Sequence, residues 1–170
     1  MSAKTNEKEY LNLSDFTLQN LIGQGSFNKV YKAREKSTGK IYAAKVSIEE
    51  LKDTSREQIF NLSREINIIS KLDHPSIIRI KGFSPIDFRK KPKPVIITEY
   101  APNGNLKDFL LSESSSSSNL DFTQKLIIIY GIASAMSYLH SKNIIHRDLN
   151  PSKVLIDEFF FPKINDFGLS

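Results

Sequence analysis

Five short groups of residues carry side chains that could do chemistry on a phosphate. Asp148 lies in His146-Arg147-Asp148-Leu149-Asn150-Pro151-Ser152-Lys153, a polar stretch after a long apolar run. A carboxylate held on such a loop can accept a proton from a substrate hydroxyl. Asp166, in Asp166-Phe167-Gly168, offers a hard oxygen ligand of the kind magnesium takes. Lys45 is a lone cation in Ala43-Ala44-Lys45-Val46. It is either an edge lysine whose head reaches water or a buried ammonium that holds phosphates and needs a carboxylate partner. Glu65 is the natural partner, because on a helix it sits beside Leu62, Ile66 and Ile69 and so faces what the helix packs on. Desolvating such a pair is costly, which points to function more than to stability. In Gly23-Gln24-Gly25-Ser26-Phe27-Asn28-Lys29-Val30 the missing side chains let backbone N–H groups close over phosphates, although a plain turn has the same pattern. Its place between two strand-like segments argues against a Rossmann site or a Walker loop, where the glycines lead from strand into helix.

The elements that must position these residues are legible in part. Phe16–Ile22, Lys29–Arg34 and Ile41–Ile48 read as three strands, with turn chemistry at Ser37-Thr38-Gly39-Lys40. Meander order makes them antiparallel. Thr54 and Glu57 have the form of a capping box for a helix whose stripe is Ile59, Leu62, Ile66, Ile69 and Leu72 and which Pro75 ends. Each buried member contributes roughly 1.5–3 kcal/mol before entropy costs, so the helix docks on the sheet. Ser76–Phe83 and Val95–Tyr100 are two further strands, and Asn105–Leu111 is a short helix. Asp121, with Gln124 placed for a capping box, opens a long helix to about Ser141. Val154–Ile156 and Pro162–Ile164 are short strands, and no internal repeat is present.

Composition narrows the class. The chain has 170 residues, 39% hydrophobic and 25% charged, enough for a real core. A formal net charge of +5 suits acidic ligands, nucleotide phosphates included, without choosing among them. With no cysteine there is no disulfide framework or thiolate metal site. Met1–Asn12 is polar, lacks the apolar core of a signal peptide, and reads as a flexible leader. Leu126–Leu139 is too short and interrupted to span a membrane, so the reading is an intracellular, cytoplasmic protein. Phe88-Arg89-Lys90-Lys91-Pro92-Lys93-Pro94 is basic but has no aromatic stacking platform, so it reads as a solvated loop, with no nucleic-acid or membrane partner. Ser112–Ser118 reads as a flexible linker.

Taken together and in order, Gly-x-Gly, Ala-x-Lys, a helix glutamate, His-Arg-Asp and Asp-Phe-Gly resemble the protein-kinase signature set over residues 16–170. The resemblance implies an α+β fold. A five-stranded antiparallel sheet with one helix forms an ATP-binding lobe at 13–100, after the leader at 1–12. A hinge at 101–104 leads to a mostly helical, truncated second lobe at 105–170. It implies ATP and Mg²⁺ as cofactors and transfer of the γ-phosphate to Ser/Thr hydroxyls of a protein substrate. The alternative is an ATP-binding pseudokinase or scaffold. Gly23, Gln24, Gly25, Ser26 and Val30 would roof the nucleotide. Lys45, paired with Glu65, would contact the α and β phosphates. Ala43 and Leu155 would sandwich adenine, Thr98 would be the gatekeeper, and Glu99 and Ala101 would offer backbone groups to the base. Asp148 would be the catalytic base and Asp166 the metal ligand. Ile69, Ile80, His146 and Phe167 fall where the family stacks its regulatory spine, and Arg147 where it couples to an activation loop.

Three departures qualify this. Asn28 replaces a third glycine, a mild change because asparagine tolerates positive φ. Lys153 and Asn150 stand exchanged relative to the family's Asp-Leu-Lys-Pro-x-Asn, so Lys153 replaces the expected second-metal asparagine. At about 4 Å and an effective dielectric near 20, a unit charge pair is worth about 4 kcal/mol, and a dication facing an ammonium meets about twice that. Either Lys153 swings away or the second metal is lost. Finally, the resemblance stops at Ser170, short of an activation segment, an Ala-Pro-Glu-like element and the remaining second-lobe helices, while the helix from Asp121 is apolar nearly all round (Leu126, Ile127, Ile128, Ile129, Ile132, Met136, Leu139). An exposed apolar face, covered by a partner or downstream segment, is expected.

Overall fold

Alternation of side chains along the first three strands settles the architecture around them. In the computed structural model, which describes residues 10–51, 56–113 and 120–170 (without the side chains at 57–59, 61, 112 and 113), these are β1 (Phe16–Gln24), β2 (Asn28–Glu35) and β3 (Ile41–Ser47). With β4 (Ile80–Ser84) and β5 (Val95–Glu99) they form one antiparallel sheet in the order β1-β2-β3-β5-β4. The β2–β3 turn is fixed by Gly39, at a left-handed φ of 73°, and by the Thr38 hydroxyl, which accepts from Lys40 N at 3.2 Å. One face of the sheet buries Ala33, Tyr42, Ala44, Val95 and Ile97 with Leu13 and Phe16. The other face carries Val30, Lys45 and Ile96 in direct register, with Ala43 and Thr98 paired two residues along.

The chain divides into two compact units. The first runs up to Ile66 and includes Ile80–Tyr100; the second joins Asn67–Arg79 to Ala101–Ser170. In the first, the described end of the expected leader is anchored: Leu11 N donates to Phe83 O at 2.8 Å and the Tyr10 ring lies 4.6 Å from that of Phe83. Only residues 1–9 of the leader lie outside the description. Helix α1 (Arg56–Ile69) buries Ile66 and Ile69. Its expected cap at Thr54, like most of the serine-rich stretch after Leu111, lies outside the described residues.

Two expected boundaries move. Helix α1 stops at Ile69 and not at Pro75, because Lys71 N and Leu72 N bond only three residues back, to Ile68 O and Ile69 O. The apolar run Ser76–Phe83 is not one strand. Ile78 N donates to Ile164 O and Ile164 N to Ser76 O, both at 2.9 Å, so Ser76–Ile78 pairs inside the second unit and only Ile80–Ser84 joins the sheet. The unit otherwise holds α2 (Leu106–Glu113), α3 (Phe122–Ser141), β6 (Val154–Ile156) and β7 (Pro162–Ile164). The capping box of α3 forms as expected, with Gln124 N donating to Asp121 Oδ1 at 2.7 Å and Asp121 N to Gln124 Oε1 at 2.9 Å. Its inner face is Ile128, Gly131, Ala135 and Leu139, while Phe122, Leu126, Ile129 and Tyr130 are exposed.

Gly131 lets α3 approach β7. A Cβ there would lie 2.5 Å from Pro162 Cγ and 2.9 Å from Ser76 Oγ. Gly131→Ala gains about 1 kcal/mol of helix propensity but forces a rigid ring aside, at a cost of about 1–3 kcal/mol. A net loss of stability is expected in urea denaturation, with amide protection falling first along α3 and β7.

His74 supplies a pH dependence. Ser76 N donates to its Nδ1 at 3.1 Å, leaving the Nε2 proton to face Ser134 Oγ at 3.1 Å. Burial holds its pKa below the ordinary imidazole value. Its folded pKa is therefore the lower one, so its contribution is complete above about pH 6.5 and is lost as pH falls through the folded value. Denaturation midpoints measured between pH 8 and 5 should fall more steeply than in His74→Gln.

Candidate functional site

The first unit builds the glycine hairpin and an ion pair. Gly25 N donates to Asn28 O at 2.8 Å and Ile48 N to Phe27 O at 3.0 Å, closing the loop between β1 and β2. Neither glycine is in the left-handed region, and Asn28 is an extended residue of β2. The tolerance of asparagine for positive φ is thus not drawn on. A Cβ on Gly23 or Gly25 would meet its nearest protein atom only at 3.9 or 3.5 Å, so internal packing does not demand glycine at either place. Gln24 ends β1, Ser26 is exposed in the loop, and Val30 is half-buried opposite Lys45.

Lys45 Nζ lies 2.7 Å from Glu65 Oε1. The carboxylate is delivered by α1, whose Ile66 is buried beside it, and its side chain is only 10% exposed, against 24% for the lysine. On the same face, Ala43 pairs with Thr98; on the opposite face, Glu99 closes β5 against Tyr42. Ile80 pairs with Thr98 from the other side.

The second unit holds the acidic residues. The hairpin of β6 and β7 turns on Asp157, whose Oδ1 accepts from Phe159 N and Phe161 N, each at 2.9 Å. That turn sets the register Val154↔Ile164, and the next outward pair joins Asn165 N to Lys153 O at 2.9 Å. Lys153 is thereby brought beside Asp166. Its ammonium does not swing away: it donates to Asp166 Oδ2 and lies 3.4 Å from Asp148 Oδ2. Burial alone would push its pKa down, but the hydrogen bond and charge of Asp166, and then those of Asp148, outweigh that and hold it above the ordinary lysine value. Asn150 braces Asp148, with Nδ2 donating to its backbone carbonyl at 3.0 Å and to its carboxylate Oδ1 at 3.3 Å.

His146 is a buried strut. Its Nδ1 accepts from Asp148 N at 3.4 Å, so the Nε2 proton goes to Asn165 O at 3.1 Å. Its ring lies 5.2 Å from that of Phe167, which is fully buried, and Ile69 is buried in the same unit. Asn165 was not foreseen; the only sequence signal was its place before Asp166. Arg147 and Asp166 both take left-handed backbone, at φ 64° and 71°. Such conformations cost of order 1–3 kcal/mol each and cluster at functional sites. Ala101 is buried, and half-buried Leu155 is bridged to Asn105.

The family model described as protein tyrosine and serine/threonine kinase matches residues 16–170. The chain is 37% identical over 160 residues to a cysteine-rich receptor-like protein kinase 8 of Arabidopsis thaliana, covering 92% of this chain and 22% of that protein. It is 34% identical over 160 residues to a G-type lectin S-receptor-like serine/threonine-protein kinase of the same plant, covering 92% and 18%. It is 36% identical over 163 residues to protein kinase 3 of Dictyostelium discoideum, covering 94% and 17%. The chain thus spans about a fifth of the length of these relatives.

The Lys45–Glu65 pair is testable on its own. Lys45→Met strips the buried carboxylate of its 2.7 Å partner, at an expected cost of about 1–3 kcal/mol, reduced from fully buried cases by the exposure of the lysine. Replacing both, in Lys45→Met with Glu65→Leu, should recover most of that loss. A double-mutant cycle in urea reads both terms.

Proposed function

The chain belongs to the protein tyrosine and serine/threonine kinase family, and on that premise we propose that it binds ATP and carries its γ-phosphate to serine or threonine hydroxyls of a protein substrate. Family membership brings ATP and a divalent cation with it; Mg²⁺ is the ion we propose. Residues 13–100 are read as the ATP-binding lobe, 101–104 as the hinge and 105–170 as the catalytic part. The observation that carries the reading is Asp148. Its carboxylate is 40% exposed, braced by Asn150 and set on one loop cluster with a second carboxylate, Asp166. A braced, solvent-reaching carboxylate suits a base that takes the proton of an attacking hydroxyl.

The other roles are proposed from the resemblance of the motifs to the kinase signature set. Gly23 and Gly25, not required by internal packing, leave room for phosphates to come close to the backbone of the loop, with Gln24, Ser26 and Val30 completing the roof. Lys45, aimed by Glu65, neutralises α and β phosphates. By the same resemblance, Ala43, Thr98 and the backbone of Glu99 in the first unit, and Leu155 and the backbone of Ala101 in the second, are proposed as contacts of the base. Asp166 offers the hard oxygen for a divalent ion, which when bound would offset the charge of the phosphates. The exposed residues Phe122, Leu126, Ile129 and Tyr130 of α3 form a face that a protein partner or a further segment covers. Among the described residues no helix is long and apolar enough to cross a membrane; a cytoplasmic location is part of the proposal. A second reading, an ATP-binding scaffold without transfer, is favoured by the Lys153 ammonium on Asp166.

The test is incorporation of γ-labelled phosphate from Mg-ATP into a generic protein substrate, followed by phosphoamino-acid analysis. Label on serine and threonine is expected, with a loss of about 10²–10⁴-fold in Asp148→Asn. Undiminished labelling by that variant would sink the assignment of the base. ATP binding with no labelling at all would select the scaffold.

A further inference from the structure

Two carboxylates and one ammonium make up the acidic centre of the second unit. Asp148 and Asp166 together would attract divalent cations, yet Lys153 already lies against an oxygen of each, with Asp148 Oδ2 at 3.4 Å. Its side chain is 25% exposed and its backbone is pinned by the bond from Asn165 N, so its position belongs to the hairpin and not to a free surface arm. An ammonium has donors only and can ligate no metal. Asn150 does not offer a ligand in its stead. Its Oδ1 accepts from Ser152 N at 3.0 Å and Ser152 Oγ at 2.6 Å, and its Nδ2 is turned to Asp148. The residues present therefore fit one divalent ion, on Asp166, and do not fit two.

We infer that Lys153 is a built-in cation that takes the place of a second divalent ion, so that this protein holds its nucleotide with a single metal. The inference rests on the nucleotide-binding reading above and deepens it. Lys153 halves the net negative charge of the carboxylate pair and leaves a fixed positive charge beside it. Metal affinity of the centre falls, while the electrostatic attraction for a polyphosphate is kept without the second ion.

The experiment counts protein-bound Mn²⁺ by electron paramagnetic resonance, in the presence of a saturating non-hydrolysable ATP analogue whose own binding is followed by fluorescence. One Mn²⁺ per bound nucleotide is expected for the native protein. Lys153→Asn, which puts an amide oxygen in the same place, should bind two. Lys153→Met keeps the stem and removes the charge; it should bind Mn²⁺ about tenfold more tightly or better, with a thermal melt showing that it is folded. Two Mn²⁺ in the native protein, or unchanged Mn²⁺ affinity in folded Lys153→Met, overturns the inference and leaves the nucleotide-binding reading standing. Absence of nucleotide binding in the native protein overturns both.

Discussion

Carboxylates held side by side repel unless a cation lies between them, and that constraint organises the second unit. Asp148 and Asp166 are delivered by different stretches of chain, each through a residue in strained left-handed backbone, and both converge on Lys153. The supports are local and cheap. An aspartate-fixed turn sets the hairpin register, the register sets Lys153 and Asn165 opposite each other, and His146 ties Asn165 to the loop of Asp148. Displacing any one of these would return the two negative charges to each other.

The first unit solves a related problem with the signs reversed. A single ammonium on the face of a sheet must be aimed, and one buried glutamate from α1 holds it at 2.7 Å. Period-two alternation puts Tyr42 and Ala44 into the core, and Ala43 and Lys45 on the opposite face. A well-packed apolar pair there would be about as stable, so the ion pair is not explained by stability alone.

Much of this was legible in residue order. The strands, the capping box of α3 and the partnership of Lys45 with Glu65 follow from periodicity, cap chemistry and the cost of burying charge. What was not legible depended on pairing at a distance. Ser76–Phe83 looks like one apolar strand, but Ser76–Ile78 bonds to Ile164 and Ile80–Ser84 to β5, and no local signal marks the break at Arg79. Nor could the exchange of Asn150 and Lys153 show where the ammonium points, because the answer lies in the register of a hairpin that ends eleven residues later. The end of α1 was missed for a simpler reason: its last turn tightens before the proline is reached.

The division of that apolar run has a topological outcome. The chain leaves the first unit after Ile66, returns at Ile80 and leaves again after Tyr100. Neither unit is a continuous stretch, so no single proteolytic cut separates them with both intact. A fragment beginning at Ala101 would leave Ile164 without its backbone partners Ser76 and Ile78 and would expose a raw edge. During synthesis, Ser76–Ile78 emerges long before its partner strand, so completion of the second unit must wait for the end of translation of the hairpin, a non-local closure of the kind that slows folding.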